Sequence, residues 1–252
     1  MRVAICGGGV IGACLAYYLS LDGAGVTLIE RHEIAGAASG KSGGFLALDW
    51  CDGSPLAALA RRSFQLHEEL AEELGNAWGY RRLDTFSVAA SARRRFGSDA
   101  GAPSLPWLKP GVFDQGQLGT TETTAQVTPA AFTRGMVEHA VTLGAECVIG
   151  NVTDIVLDRS GTAIRGVDID GRRLEVDAVV IAMGPWSTLA RRWFPIPDVY
   201  GLKGHSILLR PSAPVPAEAL FADVETEDSM SDTPELFPRP DGTVYLCGLS
   251  SQ

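Results

Sequence analysis

The sequence predicts an α/β fold in which a domain built on a parallel sheet is joined to a second, α+β domain dominated by an antiparallel sheet. Three observations predict it. A glycine-rich turn at residues 7–12 separates a short apolar strand from a helix. Three short strands follow one another between 151 and 182, where a crossover helix is the usual connection. Beyond Trp186 the pattern changes to strands separated by Pro- and acid-rich sequence.

The first element is Val3-Ala4-Ile5-Cys6, continuously apolar as a strand buried on both faces of a parallel sheet must be, and Val10–Leu21 has helix length. Hydropathy alone would also admit a signal or membrane helix over Val3–Leu21. The glycines at 7, 8, 9 and 12 argue against that, because they are costly inside such a helix and are what a strand-to-helix turn needs. They spell G-x-G-x-x-G, the Rossmann-like fingerprint. Gly7 serves the tight turn, Gly9 lets backbone approach a pyrophosphate, and Gly12 allows the helix to pack closely on the strand. Val10 and Ile11 open the helix, whose N-terminal N–H groups and partial positive charge favour phosphate. Asp22-Gly23-Ala24-Gly25 stops the helix, and Val26-Thr27-Leu28-Ile29 is a second buried strand. Glu30, 18 residues past Gly12, is placed to accept hydrogen bonds from a ribose hydroxyl pair. These features define a dinucleotide-binding βαβ unit.

Residues 31–45 form a second small-residue loop, where a nicotinamide-binding domain would pass directly into its next helix. A long cofactor with two ends needs a second run of close-approach backbone. The Ser39 and Ser42 hydroxyls, the backbone N–H groups and the Lys41 ammonium suit a pyrophosphate or a flavin ring. Pro55–Leu74 reads as an amphipathic helix whose stripe, including Leu56, Leu59, Leu66 and Leu70, belongs to the core. Tyr80–Ser91 reads as a strand pair and residues 92–119 as surface loop. Pro129–Leu143 is a helix with Thr128 at its N-cap and Pro129 at N1. Asn151–Asp158, Thr162–Ile169 and Arg173–Ala182 are three strands joined by the turns Arg159-Ser160-Gly161 and Asp170-Gly171. Tyr200–Leu209 and Thr243–Leu246 are strands flanking the Pro- and acid-rich stretch 211–235.

Composition narrows the function classes. With 21 Lys+Arg against 30 Asp+Glu the net charge is -9, and no long basic run is present to track a phosphodiester backbone, so nucleic acid is not an expected partner. Arg93-Arg94-Arg95 and Arg172-Arg173 read as solvated loop or turn. The five cysteines are odd in number, widely spaced and mostly in apolar surroundings, without a C-x-x-C pair. That suits buried thiols in a reducing compartment, and the cytoplasm is the expected location. The four histidines stand far apart, so no metal site is expected, and no transmembrane segment is expected either. No Ser-His-Asp or Cys-His nucleophile set is visible, which disfavours hydrolysis.

Several stretches together carry a family resemblance. They are Gly7–Gly12, Glu30-Arg31, Ala38-Ser39-Gly40-Lys41-Ser42-Gly43-Gly44-Phe45, Gln126–Pro129 leading into a helix, Gly144-Ala145-Glu146 and Ala182-Met183-Gly184-Pro185-Trp186. The chain resembles the FAD-dependent oxidoreductases of the D-amino-acid oxidase, glycine oxidase and sarcosine oxidase group. With Gly201–Ser206 downstream it is most similar to a eukaryotic cytosolic branch of that group. The resemblance implies a Rossmann-like FAD-binding domain of glutathione-reductase type, of which the three-stranded meander is a feature, and a separate substrate domain. The FAD-binding domain is expected at 1–79 and 121–194, and the substrate domain at 80–120 and 195–252.

Carried over residue by residue, the resemblance sets Val10 and Ile11 under the diphosphate, Glu30 and Arg31 at the adenosine ribose, and Ala38 and Ser39 at the pyrophosphate. Gly43, Gly44 and Phe45 run alongside the flavin, the Val152 backbone meets the adenine edge, and Gly184 belongs to the strand-end motif. Met183 departs from the commoner Thr there. The reaction implied is hydride transfer from a small amine or amino acid to the flavin, with oxygen as acceptor. The two candidates for a catalytic polar group are Lys41, in the second glycine loop, and His205, on a Gly-flanked strand of the substrate domain. Trp186 and Tyr245 are assigned to packing. A non-catalytic or regulatory flavoprotein, for example in membrane traffic, and an inactive fragment are the alternative classes. The chain stops at Gln252, where the family returns to the FAD domain, and the expected consequence is that FAD is held weakly or not at all.

Overall fold

The computed structural model describes residues 1–92, 105–108, 111–227 and 231–251. In chain order its elements begin with β1 (Arg2–Cys6), α1 (Val10–Leu21), β2 (Gly25–Glu30), α2 (Ala38–Lys41), β3 (Phe45–Ala47) and α3 (Ala57–Leu74). There follow β4 (Arg81–Arg82), β5 (Asp84–Ser91), β6 (Val112–Gly119), β7 (Thr124–Gln126), α4 (Pro129–Thr142) and β8 (Glu146–Ile149). Next come β9 (Val152–Leu157), β10 (Ile164–Ile169), β11 (Arg172–Glu175), β12 (Ala178–Ile181) and a 3-10 helix at Gly184–Arg192. The chain closes with β13 (Lys203–Leu209), β14 (Glu218–Glu225), β15 (Ser231–Asp232), β16 (Glu235–Pro238) and β17 (Val244–Ser251).

The chain divides into two compact units, Met1–Ser42 with Pro129–Gly201 and Gly43–Thr128 with Leu202–Gln252. The first is three-layered. Its central parallel sheet has the order β12-β1-β2-β8. Side chains alternate along β1, so Ile5 faces α1 while Ala4 faces the opposite side. On the helical side α1 and α4 pack against each other, with Ala13, Ala16, Phe132, Met136 and Ala140 buried. On the other side Ala4 and Ile29 meet Ile155 and Val167 of the antiparallel meander β11-β10-β9, and Val176 just after it. The meander covers the face that a crossover helix covers in a doubly wound sheet, which is why β1 is buried from Val3 to Cys6 and β2 from Val26 to Ile29.

The second unit is built on a seven-stranded sheet of order β13-β17-β16-β14-β5-β6, with β15 paired to β14. Among the described residues the β14–β5 pair of this sheet is parallel and its other pairs are antiparallel. A smaller sheet, β3-β7-β4, accompanies it, and its buried Thr124 hydroxyl donates to the Leu83 carbonyl at 2.7 Å. One face of the large sheet gathers Leu83, Ala219, Phe237 and Tyr245; the other gathers Val88, Leu105, Leu220 and Ala222.

The structure corrects the sequence reading in several places. The unit boundaries fall at Ser42/Gly43, Thr128/Pro129 and Gly201/Leu202, so residues 43–79 and 121–128, expected in the first domain, belong to the second unit, and 195–201 to the first. The loop 31–45 contains α2. β4 and β5 do not pair with each other; β4 joins β7 and β5 joins β6 and β14. The expected loop at 92–119 contains β6, and the acid-rich 211–235 contains β14, because partners distant in sequence satisfy their backbone groups. Arg173–Ala182 is two strands, β11 in the meander and β12 in the parallel sheet. Arg172 and Arg173 lie in β11 rather than in a turn, and Arg173 pairs with Asp168 at 2.9 Å. On α3 the buried residues are Phe64, Leu70 and Ala71, while Leu56 and Leu59 are exposed. Arg93-Arg94-Arg95 lies outside the described residues. Cys147 is exposed on β8, whereas Cys6 is buried.

Candidate functional site

A cavity of about 1120 Å³ opens in the first unit at the carboxyl ends of β1, β2 and β12, where open α/β sheets bind ligands. Its floor is the glycine turn. Gly7 adopts φ +117, and a Cβ there would lie 2.2 Å from the Ala182 carbonyl oxygen. A Cβ on Gly12 would lie 1.9 Å from the Gly7 carbonyl oxygen, so this glycine sets the approach of α1 to β1. The result is a helix N-terminus aimed into the cavity with its first N–H groups outside the intrahelical ladder.

Two side chains shape that end. Ser39, on α2, accepts a hydrogen bond from the Val10 N–H at 2.9 Å. Glu30, at the end of β2, accepts from the Gly8 N–H at 2.8 Å through one oxygen and from the His32 N–H at 3.0 Å through the other. Each carboxylate oxygen keeps acceptor capacity beyond these bonds. The Glu30 carbonyl receives the Gly150 N–H at 2.9 Å, which holds Asn151, Val152 and Thr153 along the rim. The negative field of Glu30 extends to Cys147, whose thiol is pushed up first by its partial desolvation against the sheet and then by that charge. Opposite, Gly184 at φ +53 starts the 3-10 helix and turns Trp186 over the opening, with the Arg31 guanidinium carbon 5.0 Å from its ring centroid.

The cavity brings together Gly7, Gly9, Val10, Ile11, Glu30, Arg31, Ala38, Ser39, Val152 and Gly184. Gly12 stands behind it, buried against the strand. Gly43, Gly44 and Phe45 belong to the second unit: Gly44 accepts the Val127 N–H at 2.9 Å, and Phe45 packs in an aromatic cluster. Neither catalytic candidate lines the cavity. Lys41 is the exposed last residue of α2, and His205 stands on the exposed strand β13 of the second unit. Tyr245 is buried, as its packing role requires, but Trp186 is 43% exposed and lines the cavity, so it is not a core residue. Arg192 and Asn151 line it too, and sequence reasoning passes over both. The usable signal is Gly184-Pro185, which starts a turn at the strand end and carries the following side chains toward the cavity.

Among the described residues no helix is long and apolar enough to cross a membrane, and no cluster of His, Cys, Asp or Glu has a metal-holding arrangement. A family model described as FAD dependent oxidoreductase matches residues 2–251. The chain belongs to that family. FAD is its cofactor, and the chain is an FAD-dependent oxidoreductase. It is 28% identical to "Putative oxidoreductase C1F5.03c" of Schizosaccharomyces pombe over 98% of this chain and 70% of that protein. It is 28% identical to the glycine oxidase of Geobacillus kaustophilus over 87% of this chain and 64% of that protein. The fold matches the crystal structure of glycine oxidase from Bacillus cereus with a TM-score of 0.77 at 23% identity, covering 99% of this chain and 72% of that one.

The cavity fits the cofactor. Its side-chain-free floor admits a diphosphate, its helix end and two guanidinium groups offer positive charge, and Glu30 offers acceptors for hydroxyl groups.

Proposed function

We propose that this chain oxidises a small amine or amino acid with dioxygen as the terminal acceptor and hydrogen peroxide as product. When bound, FAD supplies the acceptor for the hydride that leaves the substrate carbon next to nitrogen, while the nitrogen gives up its proton and the product is an imine. The chain's own part is positioning. The Gly9–Ile11 end of α1 and the Ser39 hydroxyl hold the diphosphate, Glu30 the ribose hydroxyls, and Val152 with Asn151 the adenine edge. Arg31 and Trp186 close the opening over the nucleotide. The second unit serves as the substrate domain. Lys41 and His205, the two candidates for a catalytic polar group, stand outside the nucleotide cavity.

The observation that carries the reading is the convergence of the glycine turn, Ser39 and Glu30 on one large cavity at the strand ends. All five cysteines are free thiols, which supports the cytoplasm as the compartment. The test is reconstitution of the purified chain with FAD, followed by peroxide assays on a panel of amines and amino acids. A flavin spectrum with peroxide release on at least one small amine is the expected result. A chain that takes up no flavin overturns the reading, and one that takes it up yet yields no peroxide with any substrate overturns its oxidase part.

A further inference from the structure

One face of the large sheet in the second unit gathers five aromatic rings beside the Glu235 carboxylate. Phe45, Phe237 and Tyr245 stack nearly parallel, with centroids 5.3 and 6.1 Å apart. Trp50 and Phe221 lean on Phe45 at 5.0 and 5.2 Å, and stand 5.0 Å from each other. Gly43 makes room for the stack, since a Cβ there would lie 2.5 Å from the Phe237 ring. Trp50 is 45% exposed and Phe45 and Phe221 are partly exposed, so the cluster is only half core and its outer rings face water.

Strand register sets the carboxylate beside the rings. Phe221 stands directly opposite Glu235, Glu235 opposite Cys247, and Cys247 opposite Ser206. Residues paired this way share a face, with Cβ atoms about 5 Å apart. The Cys247 thiol donates to Glu235 at 3.5 Å, and burial followed by the Glu235 charge holds that thiol up. Cys247 is therefore a neutral donor, and Glu235 is the formal charge of the row. Further out along β14 the same face carries Asp223 and then Glu225. The cluster already takes one cation by ring contact, for the Arg239 guanidinium carbon stands 5.2 Å over Tyr245.

We propose that this face binds an organic ammonium that carries no carboxylate, with the cationic head against Trp50, Phe221 and Glu235. Ring faces attract such a head through their quadrupole, more strongly where the contact is shielded from water, and the Glu235 carboxylate adds a Coulombic attraction. A substrate carboxylate would instead stand beside Glu235 and Asp223, where like charges repel. The inference rests on the amine-oxidising reading above and narrows its substrates to cationic amines.

Isothermal titration of the whole chain with three probes tests it without turnover: choline, its neutral isostere 3,3-dimethylbutan-1-ol, and the zwitterion glycine betaine. Choline is expected to bind at least about tenfold more tightly than either of the others. Glu235→Gln is expected to weaken choline about tenfold and leave the alcohol unchanged, with far-UV circular dichroism reporting the fold. Equal binding of the alcohol or of betaine overturns the proposal, as does unchanged choline binding by Glu235→Gln or the absence of saturable choline binding. Choline selectivity in a chain that takes up no flavin would uphold the site while overturning the amine-oxidising reading, so the two failures are distinct.

Discussion

The two units build their binding surfaces from different parts of the chain. In the first unit the cavity is made chiefly of backbone: Gly7 and Gly12 bring α1 against β1, and the N–H groups of Gly8, Val10 and His32 are fixed by one carboxylate and one hydroxyl. In the second unit the candidate surface is made of side chains, with Phe45, Phe221, Phe237 and Tyr245 brought together from four strands. A backbone-built site fails when a side chain is added to it. A side-chain-built site fails when the register beneath it slips. The predictions separate these two modes of failure.

The largest effect is expected at Gly12. Alanine is ordinarily the better helix former by about 1 kcal/mol, but its Cβ would lie 1.9 Å from the Gly7 carbonyl oxygen, and that partner is backbone. Overpacking of this kind costs at the upper end of the usual range, so Gly12→Ala should lose about 3 kcal/mol net and release flavin with it. Urea unfolding followed by both circular dichroism and flavin fluorescence measures this. An unshifted midpoint would mean that α1 moves away from β1 at no cost, and that the elbow is not the rigid part of the site.

This contrast also explains what the sequence makes legible. The glycine elbow, Glu30 and Ser39 lie within the first 39 residues, and their spacing is local, so the motif reads directly. The meander is equally legible because its turns are short and its strands are adjacent in sequence. The second unit resists the same reading. β14 pairs in parallel with β5, more than a hundred residues earlier, and nothing within 211–235 announces a partner so distant. The unit boundary is hidden for a related reason. Residues 43–47 follow the cofactor loop without a break in composition, yet Phe45, Leu46 and Ala47 pair with Gln126, Ala125 and Thr124. Trp186 escapes sequence reasoning because an aromatic residue after an apolar strand reads as core, and only the positive φ at Gly184 turns it outward.

A smaller effect separates the units by pH. His67 on α3 of the second unit is held by burial at about 4, against an ordinary value of 6.5. Its folded value lies below its unfolded one, so the unfolded chain binds the extra proton and stability falls as pH drops from about 6.5 toward 4. Between pH 7 and pH 5 this amounts to about 2 kcal/mol. Hydrogen exchange monitored by mass spectrometry should show α3 and its neighbours opening first on acidification, with the β1–α1–β2 segment still protected. His67→Gln should flatten the dependence, and an unaltered acid profile in that variant would assign the loss to other groups.

The smallest effect on stability, and the sharpest on function, is expected at Gly9. Its backbone, at φ -79 and ψ 179, is open to any residue, so the fold does not need glycine there. A Cβ would meet only the Ser39 hydroxyl, at 3.1 Å. That hydroxyl caps the Val10 N–H and sits where the chain approaches the diphosphate, so Gly9→Ala pushes it aside and narrows the cavity floor. Stability should change by less than about 1 kcal/mol, as for other substitutions that a flexible neighbour absorbs, while FAD affinity falls about tenfold, equivalent to about 1.4 kcal/mol. Ser39→Ala made together with Gly9→Ala relieves the crowding and separates its two parts. Affinity restored in the double variant would locate the defect in the displaced hydroxyl. Affinity still low would locate it in the lost cap or in the methyl group itself, and an FAD affinity unaffected by Gly9→Ala would remove this turn from the binding surface altogether.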